Sequence, residues 1–221
     1  MKIATLPNYN EFERFLFHDI LGNNNFNYGA IYDFDRIVNS FIHAEESLIS
    51  RKNQKVKELE GEDPEVRYHM ENNDFEVMNI LNPEIQILRN SLCITLHSQF
   101  EKLWIDILEK YKECYGKSFS NFKINYVSKP TEKLIEDTLN RHRELFGYSK
   151  IRDSYAHRID NRRPAELTET IHFISNKTID HTTYNGNEFE ILDMTFGREY
   201  SHRIFSFIQD LLDTSFASRP N

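Results

Sequence analysis

An arginine and a histidine lie five residues apart in the stretch 150–158, which reads KIRDSYAHR. The guanidinium of Arg152 keeps its positive charge at any physiological pH, whereas the imidazole of His157 belongs to the one side-chain type that ordinarily titrates near neutrality. This combination suits RNA transesterification, in which an imidazole removes the 2′-hydroxyl proton or protonates the leaving 5′-oxygen. The guanidinium would stabilise the charge that develops on the phosphorane. The chemistry requires no metal ion, and we predict neither a metal site nor another cofactor.

The neighbours of this pair add supporting groups. Asp153 precedes His157 by four residues, so on a helix the two share a face and the carboxylate can orient the imidazole. We therefore predict catalytic roles for Arg152, His157 and Asp153, and substrate-binding roles for Arg158 and Ser154. Arg152 and His157 are separated by roughly 140° around a helix, an angle that a long side chain can bridge along a groove. On residue types alone, an arginine and a histidine in one helix are more often surface or structural residues, and this alternative stays open.

A second pair of interest, His97 and Glu101, has the four-residue spacing of helical metal ligands. No HExxH or Cys-x-x-Cys partner accompanies it, so the better interpretation is a hydrogen-bonded or half-exposed pair. His142, His181 and His202 are isolated in the sequence and are predicted to lie on the surface.

Apolar residues recur every three or four positions along most of the chain, which predicts amphipathic helices. Their expected bounds are approximately 12–20, 31–59, 65–81, 83–115, 131–146, 151–158 and 197–216. The period changes to that of a strand between 171 and 194, where the runs 171–174 and 189–194 flank the polar turn 184–187 with its Asn-Gly pair. The sequence therefore predicts an all-α fold with a small β-hairpin near 171–194. We divide it into an N-terminal arm, 1–30, and one helical domain, 31–221.

Composition limits the classes of partner. The 221 residues carry a formal charge of −8, which argues against a general polyanion-binding surface but leaves room for a local basic pocket that binds a phosphate. Cys93 and Cys114 are the only cysteines and are predicted to be reduced thiols. The N-terminus lacks an apolar signal core, and no stretch approaches the roughly 20 apolar residues that span a bilayer. A cytoplasmic protein without a membrane partner is expected.

The motif from Arg152 to His157 resembles that of the HEPN superfamily, whose mark is Arg-x4–6-His near the start of a late helix in a helical bundle. The stretch 97–103, HSQFEKL, is similar to the superfamily's central helix. The resemblance implies a homodimer whose two motifs face each other in a shared cleft that cuts RNA, often in toxin–antitoxin or phage-defence systems. One subgroup has a tyrosine two residues after the histidine as the target of a partner antitoxin; here Ile159 occupies that position, which puts such control in doubt. The hairpin departs from a minimal HEPN bundle and is interpreted as an insertion.

Two functional hypotheses follow. The first is a metal-independent endoribonuclease of toxin or defence type, with RNA as substrate, a second copy as partner, and an antitoxin or defence-system protein as a further partner. The second is a non-catalytic HEPN-like module that binds nucleotide or RNA, or that serves as a dimerising scaffold.

Overall fold

The computed structural model describes ten parts of the chain, within which the following statements hold. They are residues 10–22, 29–58, 64–65, 68, 80–115, 133–145, 148, 152, 182–184 and 189–217. The helices and strands, in chain order, are α1 (Glu11–Arg14), a π-helical segment (Phe15–Ile20), α2 (Ala30–Lys57), α3 (Asn82–Tyr115), α4 (Lys133–Arg141), β1 (Thr182–Tyr184), β2 (Phe189–Ile191) and α5 (Thr195–Ala217).

The N-terminal helix begins with a capping box. The side chain of Asn10 accepts a hydrogen bond from the backbone N–H of Glu13, and the Glu13 carboxylate accepts one from the backbone N–H of Asn10. The helix continues directly into the π-helical segment, and together they bury Phe12, Leu16 and Ile20 in the main core. The amphipathic helix predicted at 12–20 is confirmed, and its apolar face packs into the same core as the long helices.

The long helix α3 runs through the centre of that core. Its apolar stripe follows the three-to-four spacing expected of a helix with one wide buried face. The buried residues are Ile85, Leu92, Cys93, Leu96, His97, Phe100, Leu103, Trp104, Ile107 and Tyr111. The stripe packs against α2 and α5, whose observed bounds lie within two residues of those expected from the sequence.

Gly197 lies where α5 approaches α2 and α3 closely. A Cβ atom at this position would lie 2.9 Å from Leu92 Cδ2 and 3.0 Å from Val38 Cγ2. Glycine therefore lets the first turn of α5 lie directly on these two side chains, which would have to shift to admit a larger residue.

The region predicted to form a hairpin contains two short antiparallel strands. β1 pairs with β2 in the register Thr182 with Ile191 and Tyr184 with Phe189. β2 lies inside the predicted run 189–194, but its partner is β1, which follows the predicted first run. That run, 171–174, lies outside the described residues, and the idea that the pair is an insertion stays a prediction.

The described parts of the chain are thus predominantly helical and form a helical bundle, as the sequence predicted. Among the described helices, none is both long enough and apolar enough to cross a membrane. HEPN-like topology and the division at residue 30 stay predictions.

Candidate functional site

Arg152 is the one predicted site residue that falls within the described chain. Asp153, Ser154, His157 and Arg158 lie outside the described residues. The candidate site described below therefore consists of Arg152 and the side chains around it.

The guanidinium of Arg152 is held by the central helix. Its Nη2 donates a hydrogen bond to Glu101 Oε1 over 2.6 Å, and the two side chains are 23% and 29% exposed. A charge-assisted bond of this length is among the stronger polar contacts in proteins. The contact joins positions 51 residues apart in the sequence and fixes the start of the motif segment against the middle of α3.

Behind Glu101 lies a fully buried histidine. His97 Nε2 is 3.5 Å from the same Glu101 oxygen, while its Nδ1 lies 2.9 Å from the hydroxyl of Tyr200 on α5. If Nε2 carries the hydrogen and faces the carboxylate, Nδ1 accepts the hydrogen bond from the Tyr200 hydroxyl; this tautomer is assigned from the network. We call His97, Glu101, Arg152 and Tyr200 the central polar cluster.

The protonation of the cluster follows from burial and neighbouring charge. His97 lowers the pKa of Glu101 most, and Arg152 lowers it further, against the opposing effect of burial. Burial raises the pKa of Tyr200 well above its ordinary value and that of the nearby Cys93 thiol to about 12. At neutral pH Glu101 is therefore an anion that faces Arg152, whereas Tyr200 and Cys93 are neutral. A buried neutral thiol is a poor nucleophile, so Cys93 is a packing residue.

The local sequence explains how these side chains meet. Cys93, His97 and Glu101 are spaced by four along α3 and thus lie on one face. Tyr200 approaches from α5, where its ring lies 4.9 Å from that of Tyr148 in an edge-to-face arrangement. Aromatic packing of this kind restricts the Tyr200 ring and, through its hydroxyl, the orientation of His97.

The prediction of a hydrogen-bonded or half-exposed His97–Glu101 pair is met only in that the two side chains face each other. His97 Nε2 lies 3.5 Å from Glu101 Oε1, and His97 is fully buried. Among the residues that the structure describes, no group of three or more His, Cys, Asp or Glu side chains is placed to hold a metal ion.

The predicted surface position of His142 was wrong. Its Nε2 lies 2.9 Å from Asp210 Oδ2 on α5, and its ring packs edge-on against Phe207 at 5.4 Å. His202 is exposed, as predicted, and His181 lies outside the described residues.

Three members of the central polar cluster, His97, Glu101 and Tyr200, were not assigned to a site from the sequence. The spacing of α3 linked Glu101 to His97 but carried no signal that Arg152 would be its stronger partner. Tyr200 fits the apolar spacing of the last helix, and that spacing carries no signal for a polar contact. Its hydroxyl becomes important because α5 crosses α3 at that point.

Comparison of the chain with models of protein families, with curated proteins and with solved structures gave no match. The HEPN resemblance therefore depends on the motif and on the central-helix residues alone.

Proposed function

We propose that the protein is a metal-independent endoribonuclease of the HEPN kind, with toxin or defence character, in which Arg152 binds the scissile phosphate and His157 transfers protons. The observation that supports the proposal is that the Arg152 side chain is both anchored and partly exposed. Its guanidinium is anchored by the 2.6 Å bond to Glu101, and the side chain as a whole is 23% exposed. A partly exposed and oriented guanidinium is the arrangement that phosphate recognition requires.

The reaction divides into two proton transfers around one displacement. His157 accepts the proton of the 2′-hydroxyl, and the 2′-oxygen attacks the adjacent phosphorus. The P–O5′ bond breaks, and the leaving 5′-oxygen takes a proton from a second imidazole, which leaves a 2′,3′-cyclic phosphate and a 5′-hydroxyl. Arg152 stabilises the negative charge on the non-bridging oxygens during the displacement. Asp153 orients His157, while Arg158 and Ser154 contact the RNA backbone.

The bond between Arg152 and Glu101 also favours the alternative function, a non-catalytic binding or dimerising module. Glu101 neutralises part of the charge of Arg152, and the whole chain carries −8. Both features weaken a general attraction for RNA. In this alternative the motif binds a phosphate or nucleotide without cleaving it, or it contributes only to a dimer interface.

Cleavage of RNA in the presence of a chelator distinguishes the two functions. We expect the wild-type chain to produce 2′,3′-cyclic phosphate ends, and we expect Arg152→Ala and His157→Ala each to lower kcat by about 100-fold or more. Arg36→Ala and His202→Ala are matched controls, because both residues are exposed on other helices. These controls should cleave at the wild-type rate. Wild-type protein that leaves RNA intact would contradict the nuclease and favour the binding module.

A mixture of two inactive variants tests whether the working unit is a homodimer with a shared cleft. One chain offers a single His157, whereas the displacement uses a base and an acid on opposite sides of the phosphate, and two-fold symmetry supplies the second set. We expect a solution mass near twice the 26.4 kDa of one chain. We also expect Arg152→Ala and His157→Ala chains to regain cleavage when they are unfolded and refolded together. A strict monomer that cleaves RNA would exclude the shared cleft.

A further inference from the structure

One oxygen of Glu101 lies between two nitrogen-bearing side chains. Oε1 is 2.6 Å from Arg152 Nη2 and 3.5 Å from His97 Nε2. The contact with Arg152 is a hydrogen bond, and the contact with His97 is a longer polar contact. Glu101 therefore lies between the buried imidazole and the guanidinium, and its orientation is restricted by both.

The restraint on Glu101 originates in the buried core. His97 is fully buried, and the Tyr200 hydroxyl fixes its opposite ring nitrogen at 2.9 Å. The Tyr200 ring is in turn packed by Tyr148 at 4.9 Å and by Phe196 at 5.9 Å. A continuous chain of contacts therefore leads from packed aromatic rings through His97 and Glu101 to the partly exposed side chain of Arg152.

We propose that Glu101 is a positioning residue of the ribonuclease site, which sets the direction of the Arg152 guanidinium from behind while Tyr200 and His97 keep Glu101 in place. This inference rests on the proposed function, since it specifies how that site is held. The bond to Glu101 engages Nη2, and the Arg152 side chain is 23% exposed, so its positive charge can face a phosphate at the surface. A carboxylate beside the phosphate itself would repel it, which is why Glu101 acts through Arg152 without touching the RNA.

The size of the effect follows from the sensitivity of catalysis to geometry. A displacement of a catalytic group by about 1 Å can lower the rate by roughly 100-fold. In Glu101→Gln the acceptor keeps its shape and loses its charge, so the bond from the Arg152 guanidinium weakens without being abolished. Because the charge on Arg152 stabilises the phosphorane more than the ground state, its misplacement should lower kcat more than it raises KM.

The test compares Glu101→Gln with Glu109→Gln, an exposed glutamate of the same helix. With a short RNA in chelator, we expect Glu101→Gln to lower kcat by about 10-fold to 100-fold while KM changes by less than about threefold. Glu109→Gln should leave both constants unchanged. Each rate is measured below the melting transition of that variant and divided by its folded fraction, so a loss of stability alone does not lower it.

A second pair of variants tests the source of the restraint. Tyr200→Phe keeps the ring and removes the hydroxyl that contacts His97, and we expect a smaller fall in kcat of the same kind. Tyr148→Phe is its control, because the hydroxyl of Tyr148 is buried without a hydrogen-bond partner among the described residues. In an Arg152→Lys background, Glu101→Gln should lower kcat by much less than it does in the wild type, since the two residues act as one unit.

The outcomes separate the inference from the function on which it rests. Active wild-type enzyme together with equal kcat values for Glu101→Gln and Glu109→Gln overturns the positioning role and leaves the ribonuclease standing. Wild-type protein that does not cleave RNA overturns the ribonuclease, and the inference with it. Should Glu101→Gln fail to fold, Tyr200→Phe decides, and an unchanged kcat in that variant counts against the proposal.

Discussion

Replacement of Phe207 by alanine is expected to lower the free energy of unfolding by about 3–5 kcal/mol, the usual loss for removing a fully buried phenyl ring. The ring has no exposed surface, and it lies on the core face of α5. Its centroid is 5.4 Å from that of Trp104 and 6.1 Å from that of Phe100, so both α3 rings would border the resulting cavity. The same ring supports His142 at 5.4 Å, and the substitution should loosen the contact with Asp210 as well.

Phe205 provides a matched control on the same helix. It is 40% exposed, so Phe205→Ala should change the free energy of unfolding by less than about 1 kcal/mol. Chemical denaturation, followed by far-UV circular dichroism, measures both variants. Equal losses for Phe205→Ala and Phe207→Ala would contradict the orientation of α5.

The sequence predicted the long helices well because their apolar spacing is set by burial on one face. The bounds expected for α3 were 83–115, and the structure has Asn82–Tyr115. The same pattern predicted the N-terminal helix at 12–20. It carried no signal for the π-helical geometry of Phe15–Ile20, because both helix types place apolar residues at similar spacing. The strand that pairs with β2 was harder to predict from the sequence, because β1 has no apolar run. Only its pairing with Ile191 and the neighbouring residues of β2 identifies it as a strand.

The candidate site was predicted only in part, and the reason is physical. Arg152, Asp153 and His157 could be grouped because helical spacing brings residues of one segment together. Contacts between segments depend on how helices cross, which a single sequence does not encode in local spacing. Glu101 and Tyr200 therefore became part of the site only once the contact of Arg152 with α3 and the contact of α3 with α5 were visible.

The largest electrostatic effect is expected at the ion pair that joins α2 to α3. Arg89 Nε donates to Glu45 Oε1 over 2.6 Å, the two side chains are 17% and 9% exposed, and Arg89 Nη1 also reaches the Ile191 carbonyl oxygen at 3.4 Å. Arg89→Ala leaves the Glu45 carboxylate in a largely buried position without its counter-ion. We expect a loss of about 3–5 kcal/mol in the free energy of unfolding, as is usual when one partner of a buried pair is removed.

The matched control is the exposed pair of Arg36 and Asp33 on α2. Its nitrogen and oxygen lie 3.7 Å apart, and both side chains are well solvated, so Arg36→Ala should change the free energy of unfolding by less than about 1 kcal/mol. The double variant Arg89→Met with Glu45→Leu removes both charges and fills their volume. It should recover much of the loss, because desolvation of the two ions offsets most of what their attraction contributes. A double variant as unstable as Arg89→Ala alone would show that the bond to the Ile191 carbonyl, which ties β2 to α3, matters more than the ion pair.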